Sequence, residues 1–214
     1  MKVGVLASGS GTNLQALIDA ASRGELGPAR VVVVGANLPG CGALERAAQA
    51  GIPTFLRSHK DFATREEFDR ALLDELRRHG VGLVALAGFM RILTPAFLDA
   101  FPHRVVNIHP ALLPCFPGVH AQKQALDGGV RFSGCTVHFV DAGTDTGPIV
   151  AQAVVPVLEG DDEEALRLRI LAEEHRLYPA VIRAIAEGRV TVDGRRVQVR
   201  GAPVGLADAR LRSL

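Results

Sequence analysis

The feature that most limits the architecture is a rhythm of short apolar runs separated by amphipathic stretches. Lys2–Ala7, Val31–Val34 and Val81–Ala87 are brief and almost continuously apolar, and Val105-Val106 opens a further run that ends at His109-Pro110. Runs without polar alternation suit strands covered on both faces. Helical patterns lie between them. Asn13–Ala21 sets Leu14, Leu17 and Ile18 on one face, Cys41–Ala50 stops at Gly51, and Asp61–His79 carries a stripe of Phe62, Phe68, Leu72, Leu73 and Leu76 before Gly80. Thr54–Leu56 adds a brief strand, and Thr94-Pro95 starts another helix. This alternation predicts an α/β chain, with a Rossmann-like, mostly parallel twisted sheet and helices on both faces.

The second half departs from that rhythm. Ala111–Gly118 holds too many prolines for a helix and reads as an ordered loop in which a cis X-Pro bond would be at home. A short helix over Ala121–Leu126 is followed by strands at Ser133–Val140 and Ile149–Val157. Asp161 opens a long helix to Ala186, broken or bent at Pro179. Arg189–Val192 and Arg196–Val199, joined by Asp193-Gly194-Arg195, form a C-terminal antiparallel hairpin, and the tail from Gly201 shows no pattern. The expected organisation is one domain over residues 1–193, followed by the hairpin end and tail over 194–214.

Composition excludes several classes of function. A formal net charge of +1 over 214 residues gives no broad basic field for nucleic acid. No apolar stretch approaches the roughly 20 residues of a membrane span, and the amino terminus carries no signal-like segment. Cys41, Cys115 and Cys135 are odd in number and lack CxxC spacing, which fits reduced thiols in a cytoplasm. His109, Cys115 and His120 match no common zinc spacing, so no metal is expected.

The chemistry-bearing residues fall where strands end. Asn107 and His109 are two apart on an extended chain, so both side chains face one space while Ile108 turns to the core. A neutral donor beside a titratable ring suits a reaction that develops charge on oxygen, although two polar residues could simply cap the strand. Ser8-Gly9-Ser10-Gly11-Thr12-Asn13 offers backbone N–H groups at a helix start. It lacks the Lys-Ser/Thr ending of a P-loop, and Leu14 occupies the place of a dinucleotide fingerprint's third glycine. The segment is therefore a cradle for a single phosphate or a plain turn. Gly88–Leu93 either packs under a neighbour or lines a pocket for a flat ligand. Asp145, in a loop with Gly143 and Gly147, can pair with His109, raise its pKa and let it present a proton near neutrality. His138 reads as a satisfied core group, Glu173 and Glu174 as solvated, and Arg65 as surface or ligand contact. No Ser or Cys nucleophile accompanies the imidazole, so direct acyl transfer to an amine is preferred to a covalent intermediate.

With these residues in place the chain resembles the phosphoribosylglycinamide formyltransferases, a folate-dependent family of purine synthesis. The resemblance rests on Val5–Gln15, Leu86–Leu93, Asn107-Ile108-His109-Pro110, and His138–Val140 through Asp145-Thr146-Gly147-Pro148. It implies that Gly11, Thr12 and Asn13 bind the substrate phosphate, that Glu174 reaches its ribose, and that residues 1–100 form a phosphate-binding half. It also implies that Met90, Arg91, Ile92, Leu93 and the loop Asp141, Ala142, Gly143, Thr144, Asp145 hold the pterin of the co-substrate 10-formyltetrahydrofolate, with Asn107 and Arg65 as further contacts, in a folate-binding and catalytic half over 101–193. Asn107, His109 and Asp145 would be the catalytic residues. The implied partners are small molecules, with the chain a monomer or homodimer. The pattern departs at Cys115 and Gln122, where some relatives carry Lys and His. The length suggests no room for the RNA-binding or regulatory domains of other formyltransferases. A formyl-folate hydrolase, another amine acceptor, or a non-catalytic folate- or phosphate-binding module remain as alternatives.

Overall fold

In the computed structural model, which describes residues 1–201, the alternating runs assemble into a seven-stranded sheet. Strands β1 (Lys2–Ala7), β2 (Arg30–Ala36), β3 (Thr54–Leu56), β4 (Leu83–Leu86) and β5 (Val105–His109) are mutually parallel. Strands β6 (Phe132–Phe139) and β7 (Ile149–Pro156) complete it antiparallel, in the order β3-β2-β1-β4-β5-β6-β7. The chain winds outward from β1 in one direction and from β4 in the other. Ligands in such sheets sit at the carboxyl edge beside that reversal.

Strand alternation divides the core in two. Val3, Val5 and Ala7 of β1, with Val106 and Ile108 of β5, pack beneath α1 (Thr12–Ser22), α2 (Gly42–Gln49) and α6 (Glu163–Ala186). Leu6, Val84, Leu86 and Val105 point the other way, against α3 (Arg65–Arg78) and α4 (Pro95–Ala100). Ile108 is thus in the core, and Asn107 and His109 share the opposite face, as expected. The buried Tyr178 hydroxyl lies 2.8 Å from the Leu86 carbonyl and 3.2 Å from that of Val106, tying α6 to the strands that carry the site.

Two helix expectations need correction. The segment from Asp61 does not enter α3 directly, because His59–Asp61 makes a separate 3-10 turn. Thr64 then caps α3 by accepting from the Glu67 N–H at 3.2 Å, while Glu67 accepts from the Ala63 N–H at 3.0 Å. This exchange, a variant of the capping box in which Glu67 reaches the residue before the N-cap, fixes the start at Arg65. Nor does Pro179 break α6, which is continuous from Glu163 to Ala186. Leu177, Tyr178, Val181 and Ile182 on either side are buried in the core, and their packing outweighs the roughly 3 kcal/mol cost of an interior proline. Between β5 and β6, the loop 111–120, which contains a cis Leu113-Pro114 bond, leads into α5 (Ala121–Asp127). Strands β8 (Val190–Asp193) and β9 (Arg196–Val199) form the expected hairpin as a separate sheet. The tail beyond Gly201 lies outside the described residues.

Candidate active site

Register brings the carboxyl-edge segments together. Leu6 pairs with Leu86, Leu86 with Asn107, and Asn107 with His138, so the glycine loop, Gly88–Leu93, the Asn107–His109 strand end and β6 share one edge. Gly11 is the N-cap of α1 at φ 75°, with no side-chain cap on the helix's first N–H groups. A Cβ on Gly11 would lie 2.5 Å from the Ala43 Cα, so both its conformation and the closeness of α2 require glycine. The Ser8 hydroxyl accepts from the Met90 N–H at 2.9 Å and donates to Asn37 Oδ1 at 2.6 Å, which joins the glycine loop to the Gly88–Leu93 segment. The Cys41 thiol closes on the Gly9 carbonyl at 3.1 Å. All three cysteines are free.

Glu174 is buried, not solvated. It accepts from Asn13 Nδ2 at 2.7 Å, linking α6 to α1 across 161 residues of sequence. Burial pushes its carboxyl pKa up, with Asn13 and Arg167 opposing that shift. Asn13 Oδ1 is buried and has no partner in the ligand-free chain, so it remains available to a donor. Beside α1 a cleft of about 280 Å³ is lined by Thr12, Gln15, Arg46 and His175, among others. Arg46 is anchored there on the Ser10 carbonyl at 2.9 Å and on Gln15 Oε1 at 3.2 Å. Sequence reasoning missed this cation. Its signal would have been Gly42 at the N-terminus of α2, whose Cβ would press on the Ser10 backbone and whose absence lets α2 reach the loop.

On the other side of β4, His109 and Asp145 meet. His109 Nδ1 is 3.3 Å from Asp145 Oδ2, and His109 Nε2 is 2.8 Å from the Phe116 carbonyl. A carbonyl can only accept, so Nε2 carries a proton and Nδ1 is the nitrogen facing the carboxylate. Burial pulls the His109 pKa down most strongly. The Phe116 carbonyl and Asp145 push it up, His138 pushes it down, and the balance lies below the ordinary 6.5. The expectation of a raised pKa is therefore corrected: the contribution from Asp145 has the expected sign but is smaller than the desolvation of the ring. Burial alone would push the Asp145 carboxyl up. The neighbouring His138 ring, the hydrogen bond from the Gly118 N–H and the His109 imidazole together hold it below the usual value.

His138 belongs to this cluster, contrary to its reading as a satisfied core residue. Its Nδ1 donates to the Phe139 carbonyl at 2.9 Å, leaving Nε2 to accept from Asn107 Nδ2 at 3.2 Å, and the same Nε2 lies 3.5 Å from Asp145 Oδ1. This contact fixes the orientation of the Asn107 carboxamide, with one of its two N–H donors committed to His138. Asp145 itself adopts φ 55°, a left-handed conformation uncommon for a residue with a side chain, which the contacts to His109, His138 and Gly118 hold in place.

The Gly88–Leu93 segment is packed under its neighbours in part and exposed in part. Phe89 and Leu93 are buried against α3 and α4, and the Thr94 N–H donates to the buried Asp69 carboxylate at 2.6 Å. Met90 and Ile92 project outward, 70% and 55% exposed. The Leu93 side chain is thus committed to the core. Arg65 is exposed at the first turn of α3, one turn before Asp69. In the Asp141–Asp145 loop, Asp141 Oδ1 accepts from the Gly143 N–H at 3.1 Å and from the Thr146 hydroxyl at 2.6 Å, while Ala142, Gly143 and Thr144 are exposed. No three His, Cys, Asp or Glu among the described residues form a group suited to a metal ion.

Comparison with known proteins places this doubly wound sheet, with the Asn-His-Asp cluster at its carboxyl edge, in a class of group-transfer enzymes. Residues 1–182 match the formyl transferase family profile, and the chain belongs to that family. Within the family, a Mycobacterium tuberculosis phosphoribosylglycinamide formyltransferase is 52% identical over 191 residues, which cover 89% of this chain and 87% of that protein. The crystal structure of glycinamide ribonucleotide transformylase 1 from Symbiobacterium toebii superposes with a TM-score of 0.91 at 54% identity, covering 93% of each chain. A trifunctional purine biosynthetic protein, adenosine-3, of Chironomus tentans is 51% identical over 193 residues, but this chain spans only 14% of its length.

Proposed function

We propose that the chain transfers the formyl group of 10-formyltetrahydrofolate to the amine of 5'-phosphoribosylglycinamide, yielding the formamide and tetrahydrofolate. The observation that carries this reading is the Asn107–His109–Asp145 centre, set between an anion-ready helix start and an exposed apolar ledge of Met90 and Ile92.

The substrate phosphate sits on the N–H groups of Gly11, Thr12 and Asn13, where the α1 dipole favours negative charge. Glu174 accepts from a ribose hydroxyl, and its fixed bond to Asn13 couples sugar to phosphate. Met90, Arg91, Ile92, the Leu93 backbone and the loop 141–145 hold the flat pterin, with Arg65 as a further contact. Although the phosphate cradle belongs to residues 1–100 and the catalytic centre to 101–193, Glu174 crosses that division.

The amine attacks the formyl carbon, a C–N bond forms, and charge develops on the formyl oxygen. Asn107 Nδ2 donates to that oxygen, and donors of this type are worth roughly 10²- to 10³-fold in rate. Protonated at Nδ1, His109 supplies a second donor. Because burial disfavours the imidazolium, the proton is held weakly and readily given up. Asp145 stabilises that charge and accepts the proton lost by the attacking amine. Collapse of the intermediate breaks the bond from the formyl carbon to the folate nitrogen, which takes up the proton. The test is a spectroscopic assay of 10-formyltetrahydrofolate with and without phosphoribosylglycinamide. Loss of the donor only when the amine is present supports transfer. Loss without it indicates a hydrolase, and no loss in either case indicates another acceptor or a binding module.

A further inference from the structure

The loop that follows His109 returns to touch both members of the catalytic pair through its backbone. The Phe116 carbonyl accepts from His109 Nε2 at 2.8 Å, and the Gly118 N–H donates to Asp145 Oδ2 at 2.8 Å. Neither contact depends on the side chain at position 116 or 118. Each depends on the path of the loop, and that path is an improbable one: Phe116 and His120 both have φ 56°, left-handed values that a residue with a Cβ adopts only when its surroundings hold it there.

Side-chain amides grip this loop at its two ends. Gln152 Nε2 donates to the Leu113 carbonyl at 2.9 Å and to the Thr136 hydroxyl at 3.0 Å, and that hydroxyl in turn donates to the Ala111 carbonyl at 2.7 Å. At the other end Gln124 Nε2 donates to the Pro117 carbonyl at 3.2 Å and to the Val119 carbonyl at 2.8 Å. The Pro117 carbonyl shares its peptide unit with the Gly118 N–H that reaches Asp145, and the Val119 carbonyl lies just beyond, so one amide group holds the chain on both sides of Gly118.

We propose that Gln124 is a positioning residue that holds the 116–119 backbone against the His109–Asp145 pair, thereby fixing His109 with its proton on Nε2 and its Nδ1 toward Asp145 and the reacting atoms. The inference rests on the role given to His109 above. Which nitrogen of an imidazole is free to react is set by the partner of the other. Here that partner is a main-chain carbonyl, and the residue governing its place is Gln124, eight residues past Phe116, whose side-chain amide hydrogen-bonds to the loop and to neither catalytic group. The charged and titratable groups facing His109 are Asp145 and His138, and neither can hold Nε2, because Asp145 lies at Nδ1.

The test is the Gln124→Met variant, which keeps the length of the side chain and removes its donors. In protein labelled at histidine with nitrogen-15, the wild-type ligand-free chain should show His109 as a single Nε2–H tautomer when neutral. Gln124→Met should show a mixture of tautomers and a His109 titration midpoint lower by about one pH unit, the size of losing one hydrogen bond to a charged group. Turnover should fall roughly 10- to 100-fold, with the KM of the formyl donor within about twofold of wild type. A variant that folds and keeps both the wild-type tautomer and midpoint overturns the proposal, whatever its thermal stability. Should Gln124→Met fail to fold, Gln152→Met releases the same loop from its other end and is read in the same way. Full turnover in His109→Ala would instead overturn the role of His109, while the tautomer measurement would still judge the loop.

Discussion

Replacing Asp145 with Asn removes one charge and almost no volume, which makes it the sharpest probe of the centre. The Asn amide oxygen can still accept from the Gly118 N–H, so the loop keeps its anchor. What is lost is a carboxylate 3.3 Å from His109 Nδ1, with both side chains largely buried. At that separation two unit charges interact by about 1 kcal/mol in water and about 5 kcal/mol at an effective dielectric of ~20. A value between these limits, about 3 kcal/mol, corresponds to a fall of about two pKa units in His109. The imidazolium population at neutral pH, already reduced by burial, then drops about 100-fold. Asp145→Asn should therefore lower kcat by at least ~10²-fold in the spectroscopic transfer assay, and loss of its proton-accepting role can only add to that. Binding of the formyl donor, measured by calorimetric titration, should stay within about threefold of wild type, since Asn preserves the shape of the loop. A kcat within about threefold of wild type would refute the assignment of both Asp145 and the charged form of His109.

Other perturbations test the surrounding structure. Glu174 has a folded pKa above its unfolded value, so the folded chain binds more protons there and loses stability as pH rises from the unfolded value of 4.5 through the folded one. Glu174→Gln should raise the ligand-free melting temperature at neutral pH while increasing the KM for phosphoribosylglycinamide about tenfold; a variant no more stable than wild type would contradict the buried charge. Ser8→Ala leaves the Met90 N–H and Asn37 Oδ1 without their shared partner, and the KM for the formyl donor should rise by about tenfold, consistent with a cost of ~1–3 kcal/mol for unpaired buried groups. The opposite outcome, a change confined to the KM for the amine, would place Met90 outside the donor site. His109 has a folded pKa below 6.5, so the unfolded chain binds the extra proton and stability falls as pH drops below 6.5 toward the folded value. Urea unfolding between about pH 5 and pH 7 should show a shallower pH dependence in His109→Gln than in wild type. Thr64→Ala should cost about 1 kcal/mol through loss of the α3 cap, with unchanged kinetics.

Much of this architecture was legible because local pattern and tertiary context agree. The apolar runs of β1, β2, β4 and β5 are covered on both faces and could serve as little else, and the spacing of Asn107 and His109 fixes their shared face without reference to any partner. Three of the failures, at His138, Glu174 and the pKa of His109, share one cause, which is that the deciding contact is far away in sequence. His138 alternates with core residues along β6, and only the antiparallel register that sets it opposite Asn107 shows that it orients the carboxamide. Glu174 lies in the middle of a charged helix, and its burial depends on α6 packing against α1. The pKa of His109 was misjudged for the same reason: the carboxylate partner is visible in the sequence, whereas the desolvation that exceeds it is a property of the assembled site. The start of α3 was a different case, since Thr64-Arg65-Glu66-Glu67 carries a capping-box pattern that the longer apolar stripe obscured.

The most direct test of direct formyl transfer at this centre is a single-turnover reaction with a carbon-13 formyl donor, followed by NMR. The account predicts that label leaves the donor and appears in the formamide of the phosphoribosylglycinamide product at one rate, with no labelled species between them. Label appearing in free formate, or accumulating first on the protein, would contradict it.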